Sequence, residues 1–250
     1  MKKSWILLPA LAATAGALAL YFTTGGTPHY HLPQGFTVTA HAGALGTEDN
    51  SVASLQTGIA NADIIEFDLQ FLSDGTPVLS HDHPAPKSAV TLREAFSILK
   101  NSPQTKANVD IKSTENLPAI EPLAREYGVF DQIFLTGVGE DFLDAVRRDC
   151  PAIPYYLNMS PKKGCADPAY IRSVVDNVRA AGAVGINCHL DDMTPALSKA
   201  MHDAGLLVSL WTANCDQQIA KALRCSPDNL TSRIPDRVRA VIRRSASIGA

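Results

Sequence analysis

Acidic and imidazole side chains stand at fixed places in this chain, inside or at the ends of short β-branched runs. The run Thr37–His41 ends in an imidazole. In Ile64–Leu69, Glu66 and Asp68 are two residues apart and share one face of an extended strand. Pro77–His81 ends in a second imidazole, followed by Asp82 and His83. In Asn108–Ile111, Asp110 shares a face with Lys112 just beyond it, and later runs close on Asn187 with His189 and on Trp211. A carboxylate inside an apolar strand is costly unless it is paired or bound to a cation. Three of them from two strands, facing one way, repel each other. A hard divalent cation with oxygen ligands, Mg²⁺ or Ca²⁺, removes that repulsion. His41 and His81 on either side could then serve as general base and general acid. Lys112 adds a positive point charge for an anionic substrate.

Strands must bring these groups together, and the rest of the sequence supplies them. Further strand-like runs are Gln132–Thr136, Ile153–Leu157, Gly185–Cys188, Leu207–Trp211 and a weak Asn229–Ser232. Amphipathic stretches lie between most of them: Ser51–Asn61, Leu92–Lys100, Leu117–Tyr127, Glu140–Arg148, Pro168–Ala181, Pro195–Ala204, Gln217–Leu223 and Pro235–Arg243. Asp216 reads as a helix N-cap, Pro195 and Pro235 as first helical residues, and Gly128, Gly182 and Gly205 as helix stops. Pro77–His81 follows the turn signal Ser73-Asp74-Gly75 and reads as a hairpin-like excursion or an extra strand. About eight βα units with no second composition regime predict a single-domain α/β fold, a (β/α)8 TIM barrel over residues 36–250. A doubly wound open sheet is the alternative, weakened because no GxGxxG or Walker lysine loop opens any helix. In the barrel, strand C-termini form the active face, which is where the candidates lie.

The composition is that of a globular protein, with 46% apolar and 19% charged residues. The net charge is −3, so the chain lacks the basic excess of a nucleic-acid binder. Lys2 and Lys3 precede an uncharged run from Trp5 to Phe22, and Ala17-Leu18-Ala19 offers a small-x-small cleavage site. Residues 1–22 therefore read as a signal peptide or a membrane anchor, and residues 23–35 as a linker. Either reading exports the barrel to a periplasmic, secreted or membrane-anchored position, and the segment offers a route to membrane association. Five cysteines follow without a CxxC pair, which argues against a zinc knuckle or thioredoxin-type motif. Cys215 with Cys225 and Cys150 with Cys165 are the nearest candidate disulfides, while Cys188 reads as a small core residue.

Four segments in order resemble one enzyme family. They are His41-Ala42-Gly43, Glu48-Asp49-Asn50-Ser51, Ala62-Asp63-Ile64-Ile65-Glu66-Phe67-Asp68 and Asp74-Gly75-Thr76-Pro77-Val78-Leu79-Ser80-His81-Asp82. They resemble the HRG, PEN(T/S), GAD-x-(I/L)-E-x-D and DG-x-PV-x-x-HD motifs of the glycerophosphodiester phosphodiesterases. Thr91-Leu92-Arg93-Glu94, Asn108-Val109-Asp110-Ile111-Lys112 and Trp211-Thr212-Ala213-Asn214 are similar to that family's later signatures, and Leu230-Thr231-Ser232-Arg233-Ile234-Pro235 only loosely so. The resemblance implies a (β/α)8 barrel holding one divalent cation and hydrolysing a phosphodiester. Glu66, Asp68 and Asp110 would hold the metal, His41 and His81 would be the acid/base pair, and Lys112 would bind the phosphate. The chain departs from the pattern at Ala42, where the family has Arg, at Asp49 for Glu, and at Asp110 for Glu. The stretch between His81 and Asp110 is short for the family, which implies an open mouth. That opening and an Asp third ligand also resemble the related sphingomyelinase D and lysophospholipase D group, so the substrate is either a small phosphodiester or a lysophospholipid.

Other readings stand beside this one. Trp211 serves as a substrate wall or a core aromatic. His83, His189 and His202 read as surface or satisfied histidines, and His29 and His31 as part of the linker. Ala42 favours a degenerate barrel that binds a phosphodiester or lipid without turnover. An unrelated aldolase would need Lys112 as a Schiff-base lysine.

Overall fold

The computed structural model of the protein describes residues 29–164 and 166–246. Eight parallel strands close a barrel: β1 (Thr37–Ala40), β2 (Ile64–Phe71), β4 (Lys106–Ile111), β5 (Ile133–Val138), β6 (Tyr155–Asn158), β7 (Gly185–His189), β8 (Leu207–Trp211) and β9 (Asn229–Ser232). Pairing of β1 with both β2 and β9 completes the ring. The excursion β3 (Pro77–Leu79) lies antiparallel to β2, with Leu69 opposite Leu79, and stays outside the ring. Around it run the helices α1 (Val52–Asn61), α2 (Leu92–Leu99), α3 (Ile120–Tyr127), α4 (Glu140–Asp149), α5 (Pro168–Ala181), α6 (Pro195–Asp203), α7 (Asp216–Leu223) and α8 (Pro235–Ala246). The TIM barrel read from the sequence is the observed fold, and the open doubly wound sheet is not.

Strand parity decides which residues meet the helices and which meet the lumen. In β2, Ile65, Phe67, Leu69 and Phe71 are fully buried members of the apolar core. The alternate residues Glu66 and Asp68 face the other way. The same parity sends Val109 and Ile111 of β4, Ile186 and Cys188 of β7, and Val208 and Leu210 of β8 into the core with the helices. The lumen is polar instead. Thr39, Asn108, Thr136, Asn187, Ser209, Asn229 and Thr231 are all buried there. Asn229 Nδ2 donates to Thr39 Oγ1 at 2.7 Å, and Thr136 Oγ1 lies 2.7 Å from Asn108 Oδ1. Such a filling is tolerable because the groups satisfy one another's hydrogen bonds.

Local chemistry fixes the helix ends near the site. Ser51 Oγ accepts the Ser54 N–H at 3.1 Å to cap α1. Thr91 and Glu94 form a reciprocal capping box at the start of α2, a motif whose loss costs about 1 kcal/mol. Gly128 and Gly182 end α3 and α5 in the left-handed conformation, as read. One cap departs from expectation. Cys215, not Asp216, occupies the N-cap of α7, and Asp216 is the first helical residue. Its carboxylate is taken by Arg237 of α8 in a bidentate pair, a tertiary partner that outcompetes the local cap.

Residues 1–22, read as signal or anchor, and the first part of the linker lie outside the described residues. Among the described residues, no helix is long and apolar enough to cross a membrane. The remaining linker residues Tyr30 and Leu32 pack on the core, and the Tyr30 N–H donates to Ser245 Oγ in α8. Cys150, Cys188, Cys215 and Cys225 are free thiols, and Cys165 is not described. Cys215 and Cys225 are therefore not joined: Cys215 is exposed, while the buried Cys225 Sγ lies against the Met193 carbonyl.

Candidate active site

The strands end around a cleft of about 600 Å³ at the C-terminal face of the barrel. His41, Glu66, Asp68, His81, Asp110, Lys112 and Trp211 all line it, so every site residue read from the sequence converges there. Asp49, Asn158, Asn187 and Arg233 line it too.

Glu66 and Asp68 are buried on β2, and Asp110 is half-buried on β4. Asp68 and Asp110 are register partners on these adjacent strands. One oxygen from each of the three carboxylates lies within 4.8 Å of the others. Lys112 Nζ sits 2.6 Å from Asp110 Oδ2 and 3.0 Å from Asp68 Oδ1. Burial opposes its charge, but those two carboxylates outweigh burial and hold its pKa above the ordinary lysine value. Among the described residues, Glu66 has no such ammonium within ion-pair reach, and its Oε2 accepts the Ala42 N–H at 2.8 Å. Burial first, and then the charges of Asp68 and Asp110, push its pKa well above the usual carboxylate range. An all-oxygen cluster with one ammonium against three acids has the donor set and the charge deficit of a divalent-cation site. These residues fit such an ion.

A reciprocal clamp holds Asp68. Asn50 Nδ2 donates to Asp68 Oδ2 at 2.8 Å, and the Asp68 N–H donates to Asn50 Oδ1 at 3.0 Å. Asn50 has φ 58°, a left-handed conformation that Asn tolerates better than most residues. The Asp68 carbonyl accepts the Ser80 N–H at 3.0 Å, which ties the segment carrying His81 to β2. The sequence pattern flagged Asn50 without giving it a role; the clamp is that role.

The two histidines differ in setting. The His41 N–H donates to the Ser232 carbonyl across the barrel seam. Its Nδ1 lies 3.1 Å from the Ala42 carbonyl, so Nδ1–H is the donor and Nε2 is left as the acceptor. Burial lowers the His41 pKa below its ordinary value. The His81 side chain is 70% exposed, with Nδ1 3.0 Å from Asp82 Oδ1. His189 meets the edge of Trp211 at 5.4 Å between ring centroids. His202 lies at the opposite end of the barrel, 2.9 Å from Asp228, which also accepts the Val208 N–H.

Residues 34–95 match the model of the glycerophosphoryl diester phosphodiesterase family. The matched segment contains His41, Glu66, Asp68 and His81. Over that segment, from just before β1 to the start of α2, the chain is similar to the glycerophosphodiester phosphodiesterases. The match and the site together make the chain a phosphodiesterase. No curated protein matches it. Among solved structures, it is similar to an Oleispira antarctica phosphodiesterase in complex with the product sn-glycerol-3-phosphate. That pair shares 19% identity at a TM-score of 0.70, over 85% of this chain and 97% of the other. A glycerophosphodiester phosphodiesterase from Parabacteroides distasonis is 14% identical at a TM-score of 0.67, over 88% of this chain and 100% of that one. One from Agrobacterium tumefaciens is 17% identical at a TM-score of 0.64, over 82% and 99%. At these identities the neighbours share the fold.

Proposed function

We propose that this phosphodiesterase hydrolyses glycerophosphodiesters to sn-glycerol 3-phosphate and an alcohol, and that its site also admits lysophospholipids in a phospholipase D-like cut. The observation that carries the reading is the convergence of Glu66, Asp68 and Asp110 within 4.8 Å, in one cleft with two histidines. Glu66, Asp68 and Asp110 would hold one Mg²⁺ or Ca²⁺. When bound, the ion draws charge from the phosphoryl oxygens as it builds up in the transition state. His41, kept neutral by burial and with Nε2 free to accept, takes the proton of the nucleophile, a water or a neighbouring substrate hydroxyl. His81 gives a proton to the departing alcohol oxygen and regains one from solvent, to which it is open. Lys112 and the rim residue Trp211 orient the phosphate and its substituent.

The product-bound Oleispira neighbour supports a small diester as substrate. The rim supports a lipid as the larger one. Leu45 and Val52 are each 39% exposed and Trp211 37%, and all three stand at the active end of the barrel. The basic, apolar N-terminal run supports export, with the barrel outside the cytoplasm. The test is release of alcohol from glycerophosphocholine and lysophosphatidylcholine, with Mg²⁺, Ca²⁺ and EDTA in parallel arms. Cation-dependent release that is lost in His41→Ala supports the reading. Release that is indifferent to EDTA, or no release from either substrate, overturns it.

A further inference from the structure

We propose that Arg233, held by Asp49, grips the substrate phosphate in the place of the arginine that is Ala42 in this chain. The inference rests on the proposed function and adds a substrate-binding residue to it. Arg233 follows β9, on the far side of the barrel seam from His41. Its guanidinium nevertheless reaches the turn His41-Ala42-Gly43: a Cβ built on Gly43 would lie 2.6 Å from Arg233 Nη1 and 1.9 Å from Asp49 Oδ1. The guanidinium therefore lies against the turn at Gly43, the residue after Ala42.

This arginine is built into the site. Its backbone N–H donates to Asn214 Oδ1 at 2.9 Å, and its carbonyl accepts the Leu45 N–H at 2.8 Å. Asp49 receives Nη1 and Nη2 at 2.7 Å each, which fixes the plane of the guanidinium. No described residue accepts its Nε–H, and the side chain is 37% exposed to the cleft. The other permanent cation of the cleft, Lys112, is committed to two carboxylates. Four carboxylates line the cleft, so an anion entering it needs a donor that is not already spent on the metal ligands. Arg233 is that donor: Asp49 takes its Nη1–Nη2 edge, and the edge that carries Nε–H is open to a phosphate oxygen. Asp49 is a positioning residue that aims it.

The test compares Arg233→Ala, Arg233→Lys and Asp49→Asn. It reads calorimetric binding of sn-glycerol 3-phosphate to the cation-loaded protein, and KM against kcat for glycerophosphocholine. Arg233→Ala should weaken product binding and raise KM roughly 10- to 100-fold, the range for one lost charged contact, with a smaller fall in kcat. Arg233→Lys should recover only part of this. Asp49→Asn keeps one acceptor for the guanidinium, so product binding should weaken, but by less than in Arg233→Ala. A merely structural ion pair would make Arg233→Ala and Asp49→Asn equally weak, and that result overturns the proposal. Unchanged product binding in Arg233→Ala overturns it too, even if the wild-type chain hydrolyses the diester. If the wild-type chain turns over nothing but binds the product through Arg233, the inference stands and the catalytic reading falls.

Discussion

Lys112 bridges Asp68 and Asp110, and Glu66 beside them has no ammonium of its own. The acidic cluster is therefore unevenly compensated. Its least comfortable member is Glu66, buried against like charges with no ion-pair partner among the described residues.

That imbalance makes cation binding a stability effect. Saturating Mg²⁺ or Ca²⁺ should raise the thermal midpoint of the EDTA-treated protein, since a ligand at about 100 times its Kd adds about 2.7 kcal/mol. Glu66→Gln should abolish that rise and leave the EDTA midpoint unchanged or higher, because it removes a buried repulsion. Differential scanning calorimetry with and without the cation reads both outcomes. A variant that loses stability in EDTA but keeps the full cation response contradicts the assignment of Glu66 as a ligand.

The pH dependence of the cation-free protein follows from the same group. Glu66 titrates above its ordinary 4.5 in the folded chain. Between 4.5 and the folded value, the native state holds a proton that the unfolded chain has released. Unfolding free energy therefore falls as pH rises through that window, and the loss is complete above the folded pKa. In urea titrations with EDTA, the wild-type chain should lose more stability than Glu66→Gln on going from about pH 5 to about pH 8. Parallel curves for the two proteins would refute this.

His41→Ala and His81→Ala should each lower kcat by about 10²- to 10⁴-fold, the usual contribution of a positioned acid or base. The more exposed His81 should cost little in thermal stability. Because burial lowers the His41 pKa and the base must be neutral, the acid limb of the pH–rate profile should have its midpoint below 6.5. An acid limb centred above 6.5 would assign the base elsewhere. His202→Ala, at the opposite end of the barrel beside Asp228, should leave kcat unchanged and cost roughly 1 kcal/mol on urea unfolding.

Gly43→Ala tests how tightly the seam is packed. Gly43 has φ 75°, and a Cβ there meets the Asp49–Arg233 pair. The left-handed conformation alone costs an L residue about 1–2 kcal/mol. The variant should lose at least that much in urea and should also raise KM, since the pair must shift. Wild-type stability and KM together would show that the turn yields without consequence.

The barrel was legible because periodicity writes strand parity directly. Ile65, Phe67 and Leu69 alternate with Glu66 and Asp68, which announces both a core face and an acidic face on one strand. The convergence of the acidic cluster was legible for the same reason, since Asp110 repeats that parity on the neighbouring strand. Arg233 was not read as a site residue. Its partner Asp49 lies 184 positions away, and only closure of β1 on β9 makes them neighbours. Asn50 stood inside a recognisable segment, but a left-handed asparagine clamping another strand's backbone leaves no periodic trace. Asp216 misled for a related reason, because a guanidinium from α8 claims the carboxylate that local preference assigns to the cap.

The residues proposed for bond breaking, His41, Glu66, Asp68, His81, Asp110 and Lys112, all fall in the first half of the chain, on β2 and β4 and the segments that directly follow β1, β3 and β4. The later strands contribute chiefly Trp211 and Arg233 to the same opening. The wheel thus has a working arc and a recognising arc, which meet along the sequence between β4 and β5 and in space also at the β1–β9 seam. Substitutions on the second arc change the residues proposed for recognition without touching the acidic cluster. That leaves descendants of this scaffold free to change diet while keeping their chemistry.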